Sequence, residues 1–350
     1  MKKVILAGYY GFGNLGDEAI LEMAINQILD ITDKKNITVL SGNKEVTKNK
    51  YNVNTIDRYN LMSIMGSLMK SNALVFGGGS LLQDITSKRS IYYYLFLIRL
   101  AKLMNNKVIM LSQGIGPIIN ETSRKAVQST LKYIDYITVR DKHSKEYLES
   151  IGMSAEKIFL STDPVINLRA GKNYTAKNSS KKKVCFSLRN WKNADVSEKI
   201  SCLAKKLIDN NIECCFIPFY YKEDLELINE VEKELKDTAI YYKEKLTTHE
   251  AFDIIKSMDV LVGVRLHSLI FAAAANVPFA AVSYDHKVDH FVSSVNMNVA
   301  CSIENIDVDI LYNEIIEKIE NRDQEKMKLS QSVNSLRELI KINSKILKEI

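Results

Sequence analysis

From the first residues to about residue 290, short apolar runs of strand length alternate with stretches of helical periodicity. This alternation constrains the fold more than any other feature. A strand that is apolar at nearly every position is buried on both faces, and a helix between two such strands supplies the crossover a parallel sheet needs. Strands are expected at 3–8, 37–41, 73–77, 107–112, 136–140 and 158–162, with helices between them. In Asp17–Ile31, for example, Ile20, Leu21, Ala24, Ile25 and Ile28 form an apolar stripe; 122–133 is a second helix. The segment Arg169–Lys183 is polar and Lys-rich, with Gly171, Asn173, Asn178, Ser179 and Ser180, and reads as a linker. A second alternation follows, with strands at 183–188, 212–217, 238–242, 259–264 and 279–284 and helices at 196–210, 223–236, 248–257 and 268–276. The tail from about 306 to 350 is helical. The expected class is α/β, with two doubly wound Rossmann-like domains facing a ligand cleft. Residues 1–170 form the first domain, 171–325 the second, and 326–350 a C-terminal helix.

The 350 residues, 46% apolar and 26% charged, suit a globular chain with two sizeable cores. A net charge of +6 suits anionic substrates or an anionic membrane surface. The Arg clusters and aromatic ladders of a nucleic-acid binder are missing. None of the five Cys forms a C-x-x-C pair, which argues against a zinc or redox motif, and reduced thiols point to a cytoplasmic setting. The opening Met1–Gly8 imitates a signal peptide, but its apolar run is too short, and a first strand explains it better. The run Ile91–Ile98, followed by Arg99–Lys102, reads first as a core helix. Its tyrosines and flanking cations give a second reading, a helix lying on a membrane surface.

Ligands of open α/β sheets sit beyond the carboxyl ends of the strands, so the residues there carry the chemistry. The first strand is followed by Gly11, Gly13 and Gly16 in a G-x-G-x-x-G spacing. Two features weigh against a dinucleotide site. The second strand ends without the acid that holds a ribose, and Asp17 at the helix start would repel a pyrophosphate. A tight turn remains one reading. A sugar-facing loop is the other, with Asn14 and Asp17 holding hydroxyls and Asp17 able to accept a proton. Gly77–Gly79 let a ligand approach the backbone, ahead of Gln83 and Asp84. Gln113-Gly114-Ile-Gly116-Pro117 is a second close-approach turn. Arg140-Asp141 at the fifth strand end reads as a structural salt bridge or as an anion contact.

In the second half, Arg189, Arg265, His267 and Lys287 stand at consecutive strand ends. Arg265 and His267 occupy a strand-to-helix junction, where free N–H groups and the helix dipole already favour anions. Four such groups on one edge point to a multiply charged anion beside a proton-transfer group.

Five segments together resemble the polysaccharide pyruvyl transferases, and within them the CsaB-type enzymes of secondary cell-wall polymers. They are Gly8–Glu18, Gly77–Asp84, Gln113–Pro117, Arg265–His267 and Tyr284–Val288. One departure is His286, where proline is expected before the lysine. The resemblance implies a glycosyltransferase-B-like fold and transfer of a pyruvyl group from phosphoenolpyruvate to a sugar as a cyclic ketal. For this subgroup it implies a 4,6-ketal on β-linked N-acetylmannosamine of a lipid-linked precursor, at the cytoplasmic face of the membrane. On this basis His267 is the expected general acid and Asp17 the base. The donor contacts are then Arg189, Arg265, Ser268 and Lys287, with Arg140 from the other domain. The acceptor contacts are Asn14, Gly78, Gly79, Gln83, Asp84 and Gln113. Neither a metal nor a cofactor is expected, phosphoenolpyruvate being a co-substrate. The competing readings are a nucleotide-sugar glycosyltransferase, a non-catalytic sugar-phosphate binder and, weakened by the missing ribose acid, a nicotinamide oxidoreductase.

Overall fold

A computed structural model of the protein describes residues 2–85, 87–171, 181–191 and 194–350. Most of the expected linker, 172–180, lies outside the described residues. The chain divides into two compact units, one of 1–13, 17–164 and 336–350, the other of 14–16 and 165–335.

The first unit is built on an all-parallel sheet of β1 (Val4–Ala7), β2 (Ile37–Ser41), β3 (Asn54–Asp57), β4 (Ala73–Phe76), β5 (Gly79–Leu82), β6 (Lys107–Ile115), β7 (Tyr136–Val139) and β8 (Ile158–Leu160). The order is β3-β2-β1-β4-β6-β7-β8, with β5 paired to β6. The reversal of direction beside β1 is the switch point of a doubly wound sheet. Helices α1 (Leu15–Ile28) and α2 (Lys44–Tyr51) follow β1 and β2. Helices α3 (Leu61–Leu68), α4 (Lys88–Leu103), α5 (Glu121–Leu131) and α6 (Lys142–Ser150) share one core with Ile5, Leu74, Val108 and Ile137 of the sheet. Alternate residues such as Leu6 turn instead towards α1, where Gly77 lets Ala24 come close.

The second unit repeats the plan with β9 (Lys183–Ser187), β10 (Glu213–Phe216), β11 (Ile240–Tyr241), β12 (Val260–Gly263), β13 (Phe279–Ser283) and β14 (Val299–Ser302), all parallel, in the order β11-β10-β9-β12-β13-β14. Helices α7 (Val196–Asp209), α8 (Tyr221–Leu235) and α12 (Val308–Glu320) pack on one side of it. The other helices are α9 (Thr248–Lys256), α10 (Leu266–Ala274) and α11 (His286–Ser294). Two parallel α/β sheets with interleaved helices are thus the fold, as the sequence implies. Three strands go beyond the expectation. In β3 (Asn-Thr-Ile-Asp) and β14 (Val-Ala-Cys-Ser), edge positions remove the need for an apolar run. β5 lies in the Gly-rich segment that reads as a ligand turn.

The tail folds into α12, α13 (Arg322–Leu339) and α14 (Lys341–Leu347). The last of these returns to the first unit through Asn343. This fully buried side chain accepts from Thr138 at 2.7 Å and donates to Ser112 at 2.9 Å. Cys185, Cys214 and Cys215 are buried free thiols, and burial pushes Cys214 up to about 12.

Candidate active site

In the second unit β10, β9, β12 and β13 are neighbours, so the residues that follow them share one edge. Arg265 caps the N-terminus of α10 with extended backbone, and His267 lies in the first turn of that helix. The Arg265 guanidinium does not stand open. Its Nε donates to both Asp224 carboxylate oxygens, at 3.0 and 3.1 Å. Its Nη2 reaches Asp224 as well and meets Glu223 at 2.9 Å. Asp224 is fully buried and also accepts from the N–H groups of Phe219 and Tyr220, at 2.9 and 2.8 Å. Burial raises the Asp224 carboxyl above its ordinary value, against the pull of Arg265 and these N–H groups. Arg265 and both backbone donors favour its ionised form. For Arg265, burial works downwards and the two carboxylates upwards, with a net rise.

Arg189 takes a different support. Its guanidinium lies 4.5 Å from the Tyr284 ring centre and 5.7 Å from that of Trp191. Tyr284 follows β13 and Arg189 follows β9, so this contact spans the end of β12, the strand that carries Arg265. Aromatic faces hold the cation in place without cancelling its charge. Lys287 opens α11, where its backbone N–H donates to Asp285 at 2.9 Å and its Nζ stands 3.9 Å from the same carboxylate. Ser268 is buried, and its hydroxyl donates to the Arg265 carbonyl at 2.6 Å. It therefore shapes the junction and is no open donor. His286, the departure from the expected proline, is 86% exposed and pairs with Asp289, leaving the helix start intact.

His267 rests against Gly16. Residues 14–16 belong to the second unit, where Asn14 bridges to Tyr220 and the Leu15 N–H donates to Phe219 O at 2.8 Å. The Asn14 side chain accepts from the Gly16 N–H at 3.0 Å. A Cβ on Gly16 would lie 2.1 Å from His267 Nδ1 and 2.3 Å from its Cγ. Glycine is thus required for the ring to occupy its position. Asn14, expected among the acceptor contacts, falls beside the donor candidates.

The remaining expected residues lie in the first unit. Asp17 stands in the first turn of α1, and a Cβ on Gly79 would be 4.0 Å from its Oδ1. Gly78 and Gly79 hold positive φ of 139° and 89°, so the Gly-rich turn lies close to Asp17. Gln113 is buried in β6, with its Nε2 donated to Leu111 O at 2.9 Å. The Gln83 side chain accepts from Ile85 N at 2.9 Å.

Asp84 is a correction. It is buried, and it accepts from Ile119 N at 2.8 Å, Asn120 N at 3.0 Å and Asn120 Nδ2 at 2.7 Å. Burial works against its ionised form, but these donors hold it below the usual carboxylate range. Its oxygens are committed to the loop before α5, so it serves as a tether and leaves the acceptor set. Arg140 directly follows β7. Its side chain is 8% exposed and lies 3.8 Å from Asp141 and 3.5 Å from Asp163, with Nη2 donating to Ser80 at 3.0 Å. Gly114 admits it, since a Cβ there would be 2.7 Å from Nε.

Two groups escape the sequence reading. Asp224 and Glu223 stand in Tyr-Tyr-Lys-Glu-Asp, a few residues after β10 ends at Phe216. An acidic pair there, opposite a predicted arginine edge, is the available signal. Arg58 follows β3, which lacks an apolar run. Its buried guanidinium donates to Gly8 O at 3.1 Å and lies within 5.8 Å of the rings of Tyr9, Phe12, Tyr59, Tyr93 and Tyr94. Among the described residues no group of three or more His, Cys, Asp or Glu is placed to hold a metal ion.

The sequence profile of one family, polysaccharide pyruvyl transferase, matches residues 14–286. No curated protein matches the chain. Many solved structures share the fold. S. aureus MnaA with UDP is 13% identical with a TM-score of 0.66, over 95% of this chain and 91% of that one. The UDP-GlcNAc 2-epimerase of Neisseria meningitidis bound to UDP-GlcNAc is 12% identical with a TM-score of 0.65, over 100% and 99%. A glycosyltransferase from Rickettsia africae is 14% identical with a TM-score of 0.64, over 99% and 98%. At such identities the likeness concerns the fold.

Proposed function

The chain belongs to the polysaccharide pyruvyl transferase family, and from that membership we propose that it transfers the pyruvyl group of phosphoenolpyruvate to a sugar and releases phosphate. The proposed acceptor is a β-linked N-acetylmannosamine of a lipid-linked cell-wall precursor, as in the CsaB-type subgroup, with the ketal bridging its 4- and 6-hydroxyls. The setting is the cytoplasmic side of the membrane. No cofactor enters this scheme.

The observation that carries the reading is the strand-to-helix junction of β12 and α10. It sets a guanidinium and an imidazole two positions apart, with Arg189 and Lys287 at the neighbouring strand ends. Phosphoenolpyruvate bears a carboxylate and a phosphate, so it calls for several cations, with charge-assisted bonds of roughly 1.5–3 kcal/mol each. In the proposed reaction protonated His267 delivers its proton to the methylene carbon. The π electrons form the new C–H bond, and the central carbon becomes electrophilic. One sugar hydroxyl adds there and gives up its proton, to Asp17 in this scheme. The C–O bond to phosphate breaks and the pair leaves with inorganic phosphate. The second hydroxyl then adds and gives its proton to His267, neutral since the first step, closing the ketal and restoring the acid. Arg189, Arg265 and Lys287 would bind the donor and stabilise the departing phosphate.

Phosphate release is the assay. His267→Ala is expected to abolish turnover while leaving donor affinity within about threefold, since general acid–base catalysis contributes ~10²–10⁴ in rate and little in ground-state binding. Full turnover in that variant would remove His267 from the mechanism.

A further inference from the structure

The distribution of charge along the chain is uneven. From Arg58 to Asn120 the sequence carries Arg58, Lys70, Lys88, Arg89, Arg99, Lys102 and Lys107, and one acid, Asp84. This segment alone has a formal charge of +6, equal to that of the whole chain, so the rest balances to zero. Asp84 is buried. Lys102 pairs with Asp135 and Arg58 is enclosed by aromatic rings, but Lys70, Lys88, Arg89 and Arg99 have no carboxylate partner among the described residues.

Those cations share a surface with apolar side chains. Helix α4 buries Ile91, Tyr94, Leu95, Ile98 and Ala101 in the core of the first unit. Its exposed stripe, at helical spacing, is Arg89, Tyr92, Phe96, Arg99 and Leu103. A helix on a globular surface ordinarily turns a polar face outwards. Here Tyr92 is 43%, Phe96 45% and Leu103 77% exposed. Beside it α3 presents Met62 at 79% exposure, with Met69 and Lys70 exposed just after its C-terminus. The two helices are joined across their ends, where Asn106 donates to Leu68 O at 2.9 Å and the Tyr59 and Tyr93 rings lie 6.1 Å apart.

We propose that this α3–α4 face docks on an anionic lipid bilayer. Exposed Met, Leu and Phe would enter the headgroup boundary, while Lys and Arg meet the lipid phosphates from the same face. No described helix is long and apolar enough to cross a membrane, so the contact is a surface one. Charge selects the occupant. A second copy meeting this face through a twofold axis would set cation against cation. A nucleic acid would satisfy the cations but leave the aliphatic side chains without an apolar partner. The inference rests on this surface, independently of the donor, and it supplies a physical contact for the lipid-linked acceptor proposed above.

The test is co-sedimentation of the full chain with vesicles of phosphatidylglycerol and phosphatidylcholine, and with phosphatidylcholine alone, at low and high salt. Binding is expected to the anionic vesicles and to weaken with salt. Phe96→Ser with Leu103→Ser, and separately Lys88→Glu with Arg89→Glu, should each lower partitioning by about tenfold or more. Their melting temperatures and phosphate release with a short water-soluble acceptor should stay at the wild-type level. No binding to anionic vesicles would overturn the proposal, and so would binding that survives both pairs of substitutions. Loss of a dimer in the Phe96→Ser Leu103→Ser variant, or RNA retention in place of vesicle binding, would also overturn it. A protein that binds vesicles but not phosphoenolpyruvate would refute the donor reading and leave this one standing.

Discussion

Adding one methyl group at Gly16 is expected to disable the site without unfolding the protein. The new Cβ would lie 2.1 Å from His267 Nδ1, 2.3 Å from Cγ and 2.8 Å from Cβ. Carbon contacts of this kind relax at about 3.5 Å, so the ring or the 14–16 segment must move by roughly 1.4 Å. A misplacement of about 1 Å in a reacting group costs on the order of 10²-fold in rate. Stability should change much less. Overpacking costs about 1–3 kcal/mol, but Gly16 lies within α1, where alanine regains roughly 1 kcal/mol of helix propensity. The net expectation for Gly16→Ala is about 0–2 kcal/mol of destabilisation. Kinetics of phosphate release, with thermal unfolding followed by circular dichroism, separate the two effects. Gly66→Ala is the control. It lies in α3, nothing stands within 4 Å of its would-be Cβ, and a gain of about 0.5–1 kcal/mol is expected. A Gly16→Ala protein with kcat/KM within threefold of wild type would refute the placement of His267 against Gly16, or the role given to it.

Asp224→Asn leaves Arg265 short of its buried counter-charge. It is expected to cost about 3–5 kcal/mol, read from the denaturation midpoint, and to raise the donor KM. Glu223→Gln removes the exposed carboxylate from Nη2, where it competes with an incoming anion. The donor KM should fall by about two- to fivefold with kcat unchanged, matching the roughly 0.5–1 kcal/mol of an exposed pair. Asp84→Asn should lower stability at pH 7 by about 2–3 kcal/mol. The Asp84 carboxyl is held below its ordinary value, so its contribution is present above about pH 4 and is lost as pH falls through the lowered value. The gap between wild type and variant should therefore close in acid, and a gap independent of pH would refute the tether.

The sheets were legible because burial on both faces makes a parallel strand apolar along its length, as in Val4–Ala7 and Val260–Gly263. The edge strands were not, since Asn54–Asp57 needs no apolar run, and with it Arg58 passed unseen. The arginine edge was legible for a related reason. Strand ends in an open α/β sheet define the ligand side, so Arg189, Arg265 and Lys287 could be placed there from order alone. Their electrostatics could not. Asp224 is distant from Arg265 in sequence, and only the folding of β10 beside β9 brings the two carboxylates onto that guanidinium. Asp84 shows the converse, since a carboxylate at a strand end looks available until the loop at 119–120 is seen to use it. Gly16 gave a turn signal, whereas its contact with His267 is long-range and has no sequence signature.

Calorimetric titration of the purified chain with phosphoenolpyruvate, and with UDP-N-acetylglucosamine, for wild type and Arg265→Ala, tests the central claim most directly. Saturable binding of phosphoenolpyruvate by wild type, lost in Arg265→Ala, is the predicted result. Binding of the nucleotide sugar alone would contradict the account and assign this edge to a diphosphate.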